Sequence, residues 1–216
     1  MRSYDEYCAI AKSLDVVGDR WTLLIVRELA LRGGCRYTDL RQGLPGIATN
    51  LLADRLRELE HAGVVAREDA PPPIATTLFH LTPRGEQLRP VLDDLFRWGL
   101  PLMVEQKPDD AVRSHWLAGA LEVILSDHSP EQPPVAIEIR TGDEPITIEA
   151  ADGNVRIRLS AAEHPDLILS GEPQPILGLV FGVRSLEAAQ AVGVSYEGDP
   201  GVIERIRGGF PSPAPA

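Results

Sequence analysis

The stretch GIATNLLADRLRELEHAGVV, residues 46–65, predicts the helix on which the interpretation of this chain depends. Its leucines recur at helical spacing and define one apolar face, formed by Leu52, Leu56 and Leu59. Asn50 and Arg57 fall on the opposite, polar face, and Gly63 ends the helix before a β-branched pair. A short polar helix that follows a turn is typical of elements that enter the DNA major groove.

Three further helices are predicted ahead of this one. The first carries an apolar stripe formed by Ile10, Leu14 and Val17. We expect Asp19 to cap the second helix, RWTLLIVRELALRGG. We expect Thr38 to cap a short third helix, which follows a brief extended segment at Arg36 and Tyr37. The turn Pro45-Gly46 then leads into the helix quoted above.

A β-hairpin and a last helix are predicted to follow. The runs GVVARED and TTLFHLT have β character, and the prolines of APPPIA between them cannot donate ladder hydrogen bonds, so this connection is an exposed loop. The last helix has Thr82 as its N-cap, Pro83 at its first position and a kink at Pro90. Helix one and the 83–104 helix are too apolar for so small a domain to cover, which predicts a homodimer through these two helices.

Negative charge is distributed unevenly along the 216 residues. Residues 1–106 hold 13 Lys and Arg against 15 Asp and Glu, a net charge of −2. Residues 107–216 hold 8 against 17, a net charge of −9. The acidic second half argues against a continuous nucleic-acid surface, whereas the near-neutral first half can concentrate arginines on one face. Any binding of double-stranded DNA is therefore expected in the first half.

The first half resembles the HxlR-type winged helix-turn-helix transcriptional regulators of bacteria over about residues 5–103. The resemblance rests on GDRWTLLI, LPGI, LxxRLxxLExxGVV and LTPRG, in that order along the chain. It implies a dimeric winged helix that binds an operator as repressor or activator, often under the control of a small molecule or of thiol chemistry. Residues 1–106 are therefore predicted to form a DNA-binding and dimerisation domain.

Candidate DNA contacts follow from the placement of polar side chains around the predicted recognition helix. Side chains that could reach base edges are those of Thr49, Asn50, Arg55 and Arg57. Side chains that could contact phosphates are those of Arg36, Arg41 and Arg67. The alternative is that these arginines only pair with neighbouring acids. The wing, EDAPPPIATT, lacks the basic residues common in the family, which puts wing contacts in doubt.

The second half, residues 107–216, has the pattern of a separate domain. DDAVRSHWLAGALEVILSDH is an amphipathic helix, and VAIEIRTG, PITIEA and NVRIRLSA alternate as an antiparallel meander. A strand, an apolar helix, another strand and a last short helix follow. The whole chain is therefore predicted to be α+β, a winged helix-turn-helix domain followed by an antiparallel sheet covered by helices.

The end of the second half is similar to SCP-2 sterol-carrier domains, through LILSGEPQPILGLVFG and SYEGDPGVIERI. This resemblance implies an apolar tunnel for a hydrophobic small-molecule effector. Residues that could line it are Trp116, Ile139, Ile148, Ile157, Leu177, Val180 and Phe181. The alternative is that each of them is simply part of the core.

Cys8 stands where many HxlR-type regulators carry an N-terminal cysteine. Because Asp5 and Glu6 lie beside it, we expect its thiolate to be disfavoured and the side chain to be buried by packing. Three functions remain open: a regulator that senses a hydrophobic ligand, a thiol-responsive regulator that acts through Cys8, and a lipid carrier without a regulatory role.

Several classes of protein are disfavoured by the composition. Two cysteines and scattered histidines give no metal-ligand spacing, so neither a metal nor another cofactor is expected. No apolar run approaches the length of a membrane helix, and the acidic N-terminus does not resemble a signal peptide, so a cytoplasmic protein is predicted. No catalytic spacing stands out, so an enzyme is not expected.

Overall fold

The chain divides into two compact units, Met1–Phe96 and Arg97–Ala216. The computed structural model describes residues 3–70, 76–103, 107 and 109–207. The predicted domain boundary at 106/107 falls in a stretch of which only Lys107 is described. Within the described part of the chain, no helix combines the length and the apolar character that crossing a membrane requires.

The first unit contains six helices and three strands among its described residues, and α6 runs past the boundary. The helices are α1 (Ala9–Val17), α2 (Thr22–Arg32), α3 (Tyr37–Gly43), α4 (Thr49–His61), α5 (Pro83–Glu86) and α6 (Arg89–Gly99). The strands are β1 (Cys35–Arg36), β2 (Val65–Ala70) and β3 (Thr76–Leu81). They pair antiparallel in the order β1-β3-β2, so β2 and β3 form the predicted hairpin. This arrangement is a winged helix-turn-helix; of the APPPIA loop, residues 71–75 lie outside the described part.

The core of this unit is built from the periodic leucines and isoleucines of the helices. Leu52, Leu56 and Leu59 of α4 are at most 2 % exposed, as their spacing predicts, and Ile25 and Leu40 are completely buried beside them. Burial of each such side chain contributes about 1.5–3 kcal/mol. The apolar stripe therefore fixes which side of α4 faces the protein.

Two predicted helix caps are wrong. Helix α2 begins at Thr22 without a side-chain cap, and Asp19 contributes only its backbone carbonyl, 3.1 Å from the Thr22 nitrogen. The Asp19 carboxylate instead contacts Arg55. Thr38 lies inside α3, because the extended residue Arg36 occupies the N-cap position. A carboxylate oxygen of Asp39 accepts the Arg36 backbone N–H at 2.9 Å.

The predicted helix from residue 83 is interrupted rather than kinked. Its cap is confirmed, since Thr82 Oγ1 accepts the Gly85 N–H at 3.1 Å. Helix α5 nevertheless ends at Glu86, four residues before Pro90, and α6 begins at Arg89. Proline lacks an N–H and its ring clashes with the carbonyl four residues earlier. Pro90 thus lies in the first turn of a new helix, where its missing N–H is tolerated.

The glycine of the LTPRG motif is required by packing. A Cβ atom on Gly85 would lie 2.1 Å from the backbone oxygen of Val64 and 3.2 Å from side-chain atoms of Leu81. Thr82 reinforces the same junction, because its hydroxyl donates to the Gly63 carbonyl at 2.6 Å. The motif therefore holds the start of α5 against the residues that lead into β2.

The second unit is built on a five-stranded sheet among its described residues. The strands are β4 (Val135–Arg140), β5 (Ile146–Ala151), β6 (Asn154–Arg158), β7 (Leu167–Ser170) and β8 (Ser195–Gly198). Their order is β6-β5-β4-β7-β8, with β4 and β7 parallel and the other neighbours antiparallel. The predicted meander β4–β6 is confirmed. Helices α7 (Ser114–Ile124), α8 (Pro173–Val180), α9 (Leu186–Gln190) and α10 (Ile203–Ile206) complete the unit.

A buried ion pair joins the segment after α7 to α10. Asp127 Oδ1 lies 2.8 Å from Arg205 Nε, and Oδ2 lies 3.0 Å from Nη2. The carboxylate also accepts the backbone N–H groups of Ser129 and Gly153. The hydrogen bonds from Arg205 hold the pKa of the Asp127 carboxyl well below its ordinary range. The pair fixes the last described helix to the unit.

Candidate nucleic-acid interface

The polar face of α4 is exposed as the sequence predicts. Thr49, Asn50, Asp54 and Arg57 are all exposed, while Leu52, Leu56 and Leu59 of the same helix are buried. Asn50, Asp54 and Arg57 are spaced by four and three residues, so they lie on one stripe of the helix. This stripe can reach an external partner without any change in the core.

The turn before α4 and the helix start are held by specific contacts. Gly46 has a φ of +86°, a conformation that favours glycine, and the Ile47 N–H donates to the Leu44 carbonyl at 3.1 Å. The hydroxyl of Tyr37 donates to the Thr49 carbonyl at 2.6 Å. Sequence reasoning missed this role of Tyr37, because residues 37 and 49 belong to different helices and no local pattern connects them.

Three of the predicted DNA-contacting arginines have acidic partners, and two of them, Arg57 and Arg67, have one partner each. Arg57 pairs with Asp54 one turn earlier on the same exposed face. Arg67 on β2 lies 3.2 Å from Glu60, measured from Nε to Oε1. Both guanidinium groups are largely exposed, and ion pairs at the surface contribute at most about 1 kcal/mol. They can therefore exchange a carboxylate for a phosphate or a base edge at small cost.

Asp54 lies on the same exposed face of α4 as Asn50 and Arg57. A carboxylate in the major groove can accept a hydrogen bond from the cytosine amino group, and a guanidinium can donate to guanine. The spacing of Asp54 and Arg57 is the signal that could have identified them as a pair.

Arg55 differs from Arg57 in its surroundings. Its guanidinium contacts the carboxylates of Asp19 and Glu58 together, and its side chain is only 19 % exposed. Asp19 precedes α2, 36 residues away in sequence. Arg55 therefore connects α4 to the turn between α1 and α2.

Arg36 and Arg41 are exposed on β1 and α3. Within the residues that the structure describes, neither guanidinium forms an ion pair with a carboxylate. The wing, in contrast, presents Glu68 and Asp69 on β2, and the Thr77 hydroxyl donates to Asp69 at 2.8 Å. Positive charge is thus available on β1 and α3, whereas Glu68 and Asp69 place negative charge on β2 of the wing.

Apolar side chains are exposed on α1 and α6. They are Ile10 and Leu14 on α1, and Val91, Leu95 and Trp98 on α6. Ile10 and Trp98 are each 72 % exposed. The three residues of α6 follow helical spacing, and large apolar side chains grouped in this way mark contact surfaces.

Cys8 contradicts its predicted environment. The side chain is exposed rather than buried. It occupies the N-cap position of α1, and the backbone N–H groups of Ala11 and Ile10 lower the pKa of its thiol. This helix-terminus effect was missed because only the neighbouring acids were considered. Cys35 is buried, and desolvation raises its thiol pKa to about 11.

The seven residues predicted to line an apolar tunnel lie in or near the core of the second unit. Five are buried: Ile139, Ile148, Leu177, Val180 and Phe181. Trp116 and Ile157 are half-buried. An open cleft of about 430 Å³ lies instead at the turn between β4 and β5, lined among others by Glu138, Arg140 and Asp143. None of the seven residues lines this cleft.

Charged side chains of β4 and of the turn that follows it form part of the lining of this cleft. Glu138 is 2 % exposed, and its carboxylate accepts hydrogen bonds from Arg140 Nε at 2.6 Å and from the Ala162 N–H at 2.8 Å. Because the cleft is lined by none of the predicted tunnel residues, those residues stay a prediction.

The fold and the exposed α4 face define a winged helix-turn-helix protein of the DNA-binding class. The sequence profile of the HxlR-like helix-turn-helix family matches residues 16–107. The HTH-type transcriptional regulator YvaP of Bacillus subtilis is 36 % identical over 87 residues, which are 40 % of this chain and 80 % of that protein. The regulator sll1512 of Synechocystis is 35 % identical over 43 % of this chain and 67 % of its own length. The chain belongs to the HxlR-like helix-turn-helix family.

A solved structure shows the same extent of similarity. A protein of Porphyromonas gingivalis W83, described as a MarR-family transcriptional regulator, is 31 % identical, covers 46 % of this chain and 97 % of its own, and gives a TM-score of 0.42. The curated relatives are transcriptional regulators, which supports a DNA-binding regulator rather than an enzyme.

Proposed function

We propose that the protein is a homodimeric repressor that places α4 in the major groove of operator DNA. The observation that supports this most directly is the exposed stripe of Asn50, Asp54 and Arg57 on a helix whose opposite face is buried. Arg36 and Arg41 supply cations for phosphate contacts beside the helix start. Repression is the simplest consequence of operator occupancy, because a bound dimer excludes polymerase from an overlapping promoter.

The exposed apolar faces of α1 and α6 support the dimer. Two copies that bury Ile10, Leu14, Val91 and Leu95 would remove apolar surface from water at about 25 cal/mol per Å². A two-fold dimer reads half-sites about 34 Å apart, so the operator is expected to be an inverted repeat.

Operator selection from random duplexes, followed by binding measurements, tests this function. Asn50→Ala and Arg57→Ala should each weaken binding to the selected operator at least about fivefold, because each removes about 1–3 kcal/mol of base discrimination. Arg156→Ala, which removes an exposed arginine of the second unit, is the matched control and should bind as the parent does. Failure to select any sequence, or unchanged binding by both α4 variants, would refute the proposal.

We assign the second unit, from the predicted boundary at residue 107, to control of operator binding by a hydrophobic small molecule. Support comes from its similarity to SCP-2 domains and from the apolar helix α8, whose Ile176, Leu177 and Val180 are buried. Because these side chains are packed in the core, the ligand must displace part of α8 to enter.

Titration of fatty acids against the full chain, with operator affinity as readout, tests this control. Leu177→Ala should alter the fatty-acid response, whereas a response retained unchanged in that variant would contradict the assignment.

Control through Cys8 is the second candidate function. The exposed thiol with a lowered pKa supports it, since the thiolate is the form that reacts with oxidants and electrophiles. In this case Cys8→Ser would bind operator normally and lose its response to mild oxidant. An unchanged response in Cys8→Ser would leave ligand control as the proposal.

A further inference from the structure

Arg55 lies on the recognition helix, yet its guanidinium is directed toward the protein. It contacts Asp19 of the α1–α2 turn and Glu58 of α4 at the same time. Its side chain is 19 % exposed, whereas that of Arg57, two residues later, is 72 % exposed. Both contacts are made by Nη1, so Arg55 is held to the protein through one of its two terminal nitrogens.

The contact between Arg55 and Asp19 joins α4 to the turn between α1 and α2. The buried leucines of α4 prevent the helix from leaving the core, but apolar packing alone permits small rotations and shifts along the helix axis. A charge-assisted bridge to a fixed turn opposes such shifts because it is directional. A displacement of about 1 Å at a recognition helix would misplace every base contact together.

We propose that Arg55 is a positioning residue for DNA recognition. Its two ion pairs, with Asp19 and Glu58, set the orientation of α4 in which Asn50 and Arg57 contact bases. This inference rests on the proposed function. Arg55 therefore affects the specificity of binding and makes no contact with the operator itself.

The Asp19→Asn variant separates positioning from DNA contact by the sign of its effect. If Arg55 binds DNA, removal of the Asp19 charge frees the guanidinium and reduces repulsion of phosphate, so operator binding becomes tighter. If Arg55 positions α4, the same variant weakens specific binding, by about three- to tenfold. Glu68→Gln, an acid-to-amide change on the wing, shows how binding responds to loss of charge alone.

The Arg55→Gln variant supplies a second, independent readout. We expect a similar loss of specific affinity, unchanged affinity for random DNA, and an unchanged slope of the logarithm of affinity against the logarithm of salt concentration. Loss of a phosphate contact would instead reduce that slope by about 0.9. The double variant Asp19→Asn/Arg55→Gln should bind about as well as either single variant, because both remove the same interaction.

These results distinguish failure of the inference from failure of the proposed function. Tighter binding by Asp19→Asn, or a reduced salt slope in Arg55→Gln, would overturn the positioning role while operator binding by the parent stands. Absence of specific binding by the parent would overturn the function. Circular dichroism spectra equal to that of the parent establish that the Asp19→Asn variant is folded, and Asp19 is exposed enough for the substitution to be tolerated.

Discussion

Asp127 is a carboxylate with a fully buried side chain, and both of its oxygens are bound to Arg205. Asp127→Asn should lower the free energy of unfolding by about 3–5 kcal/mol, because it leaves a buried guanidinium without its counter-charge. Denaturant titration at pH 7 measures this. Glu131→Gln, at an exposed acid of the following loop, is the control and should change stability by less than about 0.5 kcal/mol.

The same pair gives a pH dependence with a defined sign. The folded-state pKa of Asp127 lies below its unfolded value, so the stabilisation is complete above an unfolded pKa of about 3.9. It is lost as the pH falls through the folded-state pKa. The parent should therefore lose stability below pH 4 more steeply than Asp127→Asn. Parallel pH profiles of the two proteins would contradict this assignment.

The two cysteines should differ in reactivity. The thiol of Cys8 is exposed with a lowered pKa, whereas Cys35 is buried with a pKa of about 11. Brief treatment with iodoacetamide at pH 7 should add one label, at Cys8, because the thiolate is the nucleophile. Peptide mass spectrometry locates the label, and Cys8→Ser should remain unlabelled under the same conditions. Equal labelling of Cys35 would show that its burial is not maintained.

At the scale of elements, the junction between the wing and α5 yields a prediction that opposes helix propensity. Alanine stabilises a helix relative to glycine by about 1 kcal/mol. Gly85→Ala should nevertheless destabilise the protein by about 1–3 kcal/mol, since its Cβ meets the Val64 carbonyl at 2.1 Å. Gly99→Ala is the matched control, because no atom lies within 4 Å of a Cβ there. Thermal unfolding compares them, and a stabilised Gly85→Ala would contradict the packing argument.

The elements differ in how far the sequence predicts them. Helix α4 and its outward face follow from a leucine period, and the Thr82 cap follows from adjacent residues. The Asp19 cap fails because its carboxylate pairs with Arg55, far along the chain. Local patterns give the strands of the second unit but not the parallel pairing of β4 with β7, because alternation specifies a face and not a partner.

Local sequence patterns also predict only part of the candidate DNA-binding surface. Exposure of Asn50 and Arg57 could be predicted from the helical period. The ion pairs of Arg55 with Asp19 and of Arg67 with Glu60, and the hydrogen bond from Tyr37 to Thr49, depend on contacts between separate elements. The five arginines, Thr49 and Asn50 that are predicted to contact DNA therefore have surroundings in the fold that the sequence does not distinguish.

At the scale of the whole molecule, the exposed faces of α1 and α6 predict the oligomeric state. Ile10→Glu should convert the dimer to a monomer, because a carboxylate would be buried without a partner at the interface. Light scattering after size-exclusion chromatography measures the mass. Val192→Glu, at an exposed apolar residue of the second unit, should remain dimeric. A dimer in both variants would exclude α1 from the interface.

The parallel pairing of β4 with β7 also affects the order in which the nascent chain can fold. The first unit has its last strand once Leu81 is synthesised, because β3 pairs with both β2 and β1, which precede it in the chain. In the second unit, β4 lies at the centre of the sheet. One of its edges stays unpaired until β7, Leu167–Ser170, has been synthesised. Strand β8 completes the sheet only at Ser195–Gly198. On the ribosome the recognition helix can therefore be folded while β4 still exposes an open strand edge.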